Sequence, residues 1–166
     1  MKLLSPLTWF GLHSQDEREK HLYKSVKHLI GANPSNLELY RLAFLHASAS
    51  RESASKSYKE SNERLEFLGD AILDSIIAEF LFQRFPEEDE GYLTKVKSKV
   101  VSRKTLSEIG EELELRSILR YNKGRSINLS SLEGNAFEAI IGAIYLDSSY
   151  EVTKKIIYNH IFRKYV

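Results

Sequence analysis

Asn62-Glu63-Arg64-Leu65-Glu66-Phe67-Leu68-Gly69-Asp70-Ala71 opens a run that reaches Phe85 with Gly69 as its only glycine and no proline before Pro86. Apolar and polar residues follow the 3.6-residue period of a helix throughout it. At about 100° per residue, Glu63, Glu66, Asp70 and Asp74 fall within a sector of roughly 80°, while Leu65, Leu68, Ile72 and Ile76 lie on the other side. Carboxylates at i, i+3 and i, i+4 repel by a few tenths of a kcal/mol per exposed pair, and by more where water is removed. Either the stripe is a solvated face, or cations offset it.

The same period continues on both sides of this run. Leu22, Val26, Leu29 and Ile30 place a helix over about Asp16 to Ile30, stopped by Gly31 and Asn33-Pro34. A second is expected from about Ser35 to Ser48, followed by a polar loop to Ser61. Downstream, helices are predicted over about Leu93 to Val101 and Arg103 to Leu113, with Ser102 as a cap between them. Asn122 to Leu129 is a loop, and helices over about Ser131 to Asp147 and Tyr150 to Tyr165 follow, with Ser148-Ser149 as turn and cap. No segment alternates with period 2, so the expected class is all-α.

The chain has 166 residues, enough for one domain with a sizeable core. It contains no cysteine, which excludes a disulfide framework, a thiolate metal site and a cysteine nucleophile, so any metal must be held by oxygen or imidazole. No apolar run approaches the ~20 residues of a membrane span, and the first dozen residues, broken by Pro6, lack the apolar centre of a secretory signal. The expectation is a cytoplasmic protein with no membrane partner. Lys and Arg total 24 against 23 for Asp and Glu, so binding to nucleic acid cannot rest on net charge and must be local.

A second acidic position stands in Asn135-Ala136-Phe137-Glu138-Ala139-Ile140-Ile141-Gly142-Ala143-Ile144-Tyr145-Leu146. Nearly every face of so apolar a helix must be buried, and a buried carboxylate needs a partner. Asn135, Glu138 and Gly142 align on the wheel, with Gly142 leaving room for a neighbouring helix. If that neighbour carries Glu66 and Asp70, three carboxylates and one amide oxygen converge with no Lys or Arg among them. Such an oxygen-only set suits Mg²⁺, with Mn²⁺ as a substitute. The alternative is a protonated Glu138 bonded to backbone or to an arginine from elsewhere. Periodicity leaves both open.

The decapeptide Asn62 to Ala71 resembles the signature of the ribonuclease III family of double-stranded-RNA endonucleases. Similarity extends through Leu42 to Ser48, which ends in the family's His-x-Ser, through Glu90-Gly91 and Leu93-Thr94, and through Asn135 to Asp147. It covers about residues 20 to 160. The resemblance implies a ribonuclease III endonuclease-domain fold over residues 16–166, after an N-terminal extension at 1–15. It also implies a homodimer that cuts duplex RNA with Mg²⁺, in rRNA or mRNA processing, to 5′-phosphate and 3′-hydroxyl ends. A chain ending at Val166 leaves no room for a separate C-terminal double-stranded-RNA-binding domain, which points to a longer parent protein.

Carried over position by position, Glu66, Asp70 and Glu138 match the family's catalytic metal ligands, and Glu63 and Glu90 match supporting acidic residues. Asn135 departs from the pattern, in which Asp is usual, and a neutral amide there weakens the expected hold on the metal. A competing reading is therefore a weak or silent RNA-binding scaffold that keeps the fold. Phe67, at the edge of the acidic stripe, matches an aromatic that enters a socket on the second subunit. Lys95, Lys97, Lys99, Arg103, Lys104, Lys123 and Arg125 are candidates for gripping phosphates, although lysines two apart on a helix do not face the same way. His46 beside Leu42 is expected to be a hydrogen-bonded structural group and not a metal ligand.

Overall fold

The computed structural model describes residues 6–50, 59–124 and 126–159, with backbone alone over 6–16. Its helices are α1 (Pro6–Ile30), α2 (Leu37–Ala43), α3 (Glu63–Arg84), α4 (Glu90–Val100), α5 (Arg103–Glu112), α6 (Leu129–Asp147) and α7 (Tyr150–Ile157). Short 3₁₀ turns follow α2 at Ala47–Ala49 and α5 at Leu115–Ser117. Among the described residues no strand forms beyond one isolated bridge between Leu45 and Arg120, so the all-α expectation holds. No helix among them is long and apolar enough to cross a membrane.

Local chemistry sets most of the helix ends. Ser102 caps α5 by accepting from the Thr105 amide at 3.2 Å, and Ser149 caps α7 by accepting from Val152 at 3.3 Å, both as expected. Asp89, unforeseen, caps α4 through the Tyr92 amide at 2.8 Å and so moves its start ahead of Leu93. Asn128 does the same for α6 through the amides of Ser130 and Ser131. Helix α1 ends with Gly31 at φ +70°, a left-handed conformation that glycine adopts without strain. It is already helical at Pro6, the first described residue, ahead of the expected start near Asp16.

Helix α2 is shorter than its sequence pattern. The chain leaves it at Phe44, whose carbonyl accepts from Arg120 N at 2.8 Å, while His46 N donates to Arg120 O at 3.0 Å. This pairing with a segment far along the chain outweighs continuation of the helix to Ser48.

The core is built around α6, which buries Leu132, Ala136, Phe137, Ala139, Ile140, Ile141, Ala143 and Ile144. Its most extensive neighbours are α3, which contributes Leu65, Leu73, Ile76, Ile77 and Leu81, and α5, which contributes Leu106 and Ile109. Each fully buried Leu or Ile contributes about 1.5–3 kcal/mol. The last residue of α6, Asp147, accepts from Ser35 N at 3.0 Å, Asn36 N at 2.6 Å and the buried Tyr40 hydroxyl at 3.0 Å. These bonds tie α2 to the C-terminal end of α6 and fix that helix against rotation. Burial, followed by Asp147, pushes the Tyr40 phenol well above its ordinary value, so it remains a donor.

Candidate active site

Helices α3 and α6 approach closely where glycine stands on each. A Cβ built on Gly69 would fall 1.8 Å from the Glu138 carbonyl oxygen, and one on Gly142 would fall 2.4 Å from the Leu65 carbonyl oxygen. The room expected at Gly142 is therefore occupied by the backbone of α3, and Gly69 is its unforeseen counterpart. This contact brings the carboxylates of α3 beside those of α6.

The electrostatics record the convergence. Glu138 is half-buried, and its carboxyl is pushed up to about 7 by burial first, then by the charges of Asp70 and Glu66. Glu66 is also half-buried and raised, by burial first and then by Glu63 and Asp70, while the nearby Asn135 amide opposes the rise. Arg103, the first residue of α5, lowers both groups. No Lys or Arg stands among Glu66, Asp70, Asn135 and Glu138 themselves, but α5 packs on α6 and brings the Arg103 charge to bear on Glu66 and Glu138.

Among the described residues, no three His, Asp or Glu side chains are already drawn together into a metal-ligating arrangement. The cluster is a group of mutually repelling oxygens, and Glu138 has no ion-pair partner among those residues. Carboxylate and amide oxygens whose negative charge is only partly offset, by Arg103, are the donor chemistry of a hard divalent cation. By that criterion Glu66, Asp70, Asn135 and Glu138 fit Mg²⁺ or Mn²⁺.

The surrounding predicted residues divide. Glu63 is exposed, accepts from the Ser61 hydroxyl at 2.7 Å and adds its charge at Glu66. Glu90 sits in the first turn of α4, accepts from the Thr94 hydroxyl at 2.8 Å, and is not among the principal charges acting on Glu138. Asp74 is held by Lys97 at 2.8 Å, which turns that lysine towards α3 and away from solvent. Lys95, Lys99, Arg103 and Lys123 are exposed, as is Lys104, which lies 3.9 Å from Glu108. Arg125 lies outside the described residues. Phe67 is 81% exposed, so none of the described residues buries it. His46 Nδ1 lies 2.8 Å from the Ser48 hydroxyl and accepts from the Ser48 amide at 3.1 Å, a structural role in the turn Ala47–Ala49. The Ser48 hydroxyl in turn accepts from Asn122 N at 2.9 Å. Asn62, at the head of α3, is 1% exposed, and its side-chain NH₂ has no partner among the described residues.

Comparison with known proteins gives a consistent set. The Ribonuclease-III-like family profile matches residues 36–165. The chain is 42% identical over 155 residues to Ribonuclease 3 of Zunongwangia profunda, covering 93% of this chain and 63% of that protein. It is 40% identical over 149 residues to Ribonuclease 3 of Bacteroides thetaiotaomicron, covering 90% of this chain and 48% of that protein. It thus spans about half to under two thirds of the length of these relatives. Among solved structures, the nuclease domain of ribonuclease III from Campylobacter jejuni superposes with a TM-score of 0.73 at 32% identity. That match covers 85% of this chain and 96% of that one, and the structure is described as flexible in a region involved in dimer formation.

Proposed function

The chain belongs to the ribonuclease-III-like family, and from that premise we propose that it is the catalytic domain, over residues 16–166, of a divalent-metal-dependent endoribonuclease that cleaves double-stranded RNA. One observation carries the reading. Glu66 and Asp70 on α3 lie close enough to Glu138 on α6 to raise its proton affinity, and the Asn135 side chain acts on Glu66 within the same group.

Glu66, Asp70, Asn135 and Glu138 would hold Mg²⁺, or Mn²⁺ in its place. A bound divalent ion lowers the pKa of water and offsets charge developing on a phosphodiester. The protein's part is to keep the site negative and positioned. Glu138 is protonated over a substantial fraction of molecules near neutral pH and must lose that proton before it can serve as a ligand. The Asn135 amide steadies the Glu66 carboxylate, and Glu63 adds negative potential from the rim. Exposed Lys95, Lys99, Arg103 and Lys123 are the candidates for phosphate contact along a duplex, where recognition rests on backbone and 2′-hydroxyl groups.

We also assign the bare Phe67 ring to the interface of a homodimer, since burying so large an apolar side chain against a second copy removes it from water. Products with 5′-phosphate and 3′-hydroxyl ends, structured rRNA and mRNA precursors as substrates, and action in the cytoplasm complete the reading. The expected result is that duplex RNA is cut with Mg²⁺ and not with EDTA. Glu138→Ala should cut at least a hundredfold less, at an order-of-magnitude estimate, with its helical circular dichroism intact. Phe67→Ala should sediment as a smaller species than the parent. The neutral Asn135 favours a second reading, a silent RNA-binding scaffold, which duplex binding without cleavage at any Mg²⁺ or Mn²⁺ concentration would establish.

A further inference from the structure

Among the described residues two helix pairs are wedged together at glycine, and one of these contacts lies at the acidic group. At the α3–α6 contact, Gly69 faces the Glu138 carbonyl and Gly142 faces the Leu65 carbonyl, with hypothetical Cβ separations of 1.8 Å and 2.4 Å. Real Cβ atoms do not approach a carbonyl oxygen so closely, so even an alanine must push the two backbones apart. At the α5–α6 contact, a Cβ on Gly110 would fall 2.8 Å from the Glu133 carbonyl oxygen, again backbone against backbone. Gly134, by contrast, has room: its Cβ would meet Leu106 Cβ at 3.6 Å, an ordinary contact.

The peptide group that meets Gly69 belongs to Glu138, and Gly69 is flanked in sequence by Asp70. Any separation forced at Gly69 or Gly142 is therefore transmitted directly to the distance between the carboxylates of α3 and those of α6. Side chains on rigid helices cannot absorb an ångström of backbone shift and keep a small ion in its preferred coordination distance of about 2.0–2.1 Å. We propose that Gly69 and Gly142 are positioning residues for the cation site: their lack of side chains sets the spacing between its two halves. This rests on the reading of Glu66, Asp70, Asn135 and Glu138 as the cation ligands.

The test measures Mn²⁺ alone, by electron paramagnetic resonance of the free ion, alongside thermal unfolding in EDTA, on the whole chain and three variants. Gly142→Ala is expected to lower the melting temperature and to weaken Mn²⁺ binding about tenfold or more. Gly110→Ala is expected to lower the melting temperature comparably and leave Mn²⁺ affinity within about twofold, since its wedge opens α5 from α6 away from the carboxylates. Gly134→Ala is expected to leave both unchanged. Should Gly142→Ala be poorly folded, trimethylamine N-oxide restores burial and the titration is repeated there.

Equal Mn²⁺ affinity in folded Gly142→Ala and the parent would overturn the positioning role while leaving the site itself standing. So would equal loss in Gly142→Ala and Gly110→Ala, because weakening would then follow stability alone. A Gly142→Ala chain that stays unfolded with the osmolyte would make the glycine a requirement of the fold and not a setting of the site. A parent chain that takes up no Mn²⁺ would remove the cation reading and this inference together.

Discussion

Helix α6 carries two glutamates into the protein, and their surroundings differ in kind. Glu133 is 2% exposed, and the Arg116 guanidinium donates to its carboxylate through Nε at 2.8 Å. Glu138, five residues further on, is less deeply buried yet has no such partner among the described residues, and the charges that act on it most are those of Asp70 and Glu66. The first arrangement is self-contained: removing the charge pair from water is offset by a bond, and the pair holds the turn Leu115–Ser117 against α6. The second is incomplete in the absence of a cation or a proton. Burial alone does not mark a functional acid. What marks it is burial among like charges with the compensating partner missing.

The largest effect that sharpens this contrast is the exchange of phenotypes between the two positions. Glu138→Ala should abolish most RNA cleavage, by about a hundredfold or more, and leave stability near that of the parent. Glu133→Ala should do the reverse. It removes a buried acceptor and leaves a guanidinium that is partly open to water, so the expected cost is about 2 kcal/mol. That corresponds to a melting temperature lower by roughly 4–8 °C in a domain of this size, with Mn²⁺ affinity retained. Loss of Mn²⁺ binding in Glu133→Ala at a temperature where it is folded would erase the distinction drawn between the two acids.

A second, smaller effect lies in pH. The Glu138 carboxyl is raised from its ordinary value near 4.5 to about 7 in the folded chain. A group raised on folding gives its full stabilising contribution below its unfolded pKa and loses it as pH rises through the folded one. Between about pH 4.5 and pH 7 the metal-free protein should therefore become progressively less stable through this residue. Glu138→Gln, neutral at all pH, should melt a few degrees above the parent at pH 8 in EDTA and coincide with it at pH 5. Coincidence of the two melting curves at both pH values would mean that neither burial nor the charges of Asp70 and Glu66 raise the Glu138 carboxyl.

Much of this contrast was open to inspection in the linear chain, and the part that was not has a common cause. The apolar run around Glu138 announced its burial, and Gly142 announced a close neighbour, because both follow from helical period within one element. That the neighbour is the helix bearing Glu66 and Asp70 came from resemblance to a family, since no period links residues some seventy positions apart. Glu133 was passed over: its partner Arg116 lies outside the helix, and nothing in the local pattern distinguishes a glutamate that meets an arginine from one that meets two carboxylates. Arg103 was placed with the basic run, whereas its charge reaches the acidic group through the packing of α5 on α6. The early end of α2 has the same origin, because it depends on pairing with Arg120. Contacts set by local period and capping were legible, and contacts set by tertiary partners were not.

The smallest expected effect concerns the one neutral member of the group. The Asn135 amide acts on the Glu66 carboxylate and opposes the rise in proton affinity that burial and the charges of Glu63 and Asp70 impose on it. Asn135→Asp exchanges this amide for another negative charge. In EDTA at pH 8 the substitution removes a favourable amide beside the Glu66 carboxylate and adds repulsion with Glu66 and Glu138, so the melting temperature should fall by a few degrees. With a divalent ion present the sign reverses, because an added carboxylate supplies charge to the ligand set, and half-maximal cleavage should need several-fold less Mg²⁺. The crossing of the two effects is the informative part. Lower stability without metal and a lower Mg²⁺ requirement in the same variant can arise together only if Asn135 borders the cation. A destabilised variant whose Mg²⁺ requirement is unchanged would place Asn135 beside Glu66 as a structural donor and leave the ion to Glu66, Asp70 and Glu138.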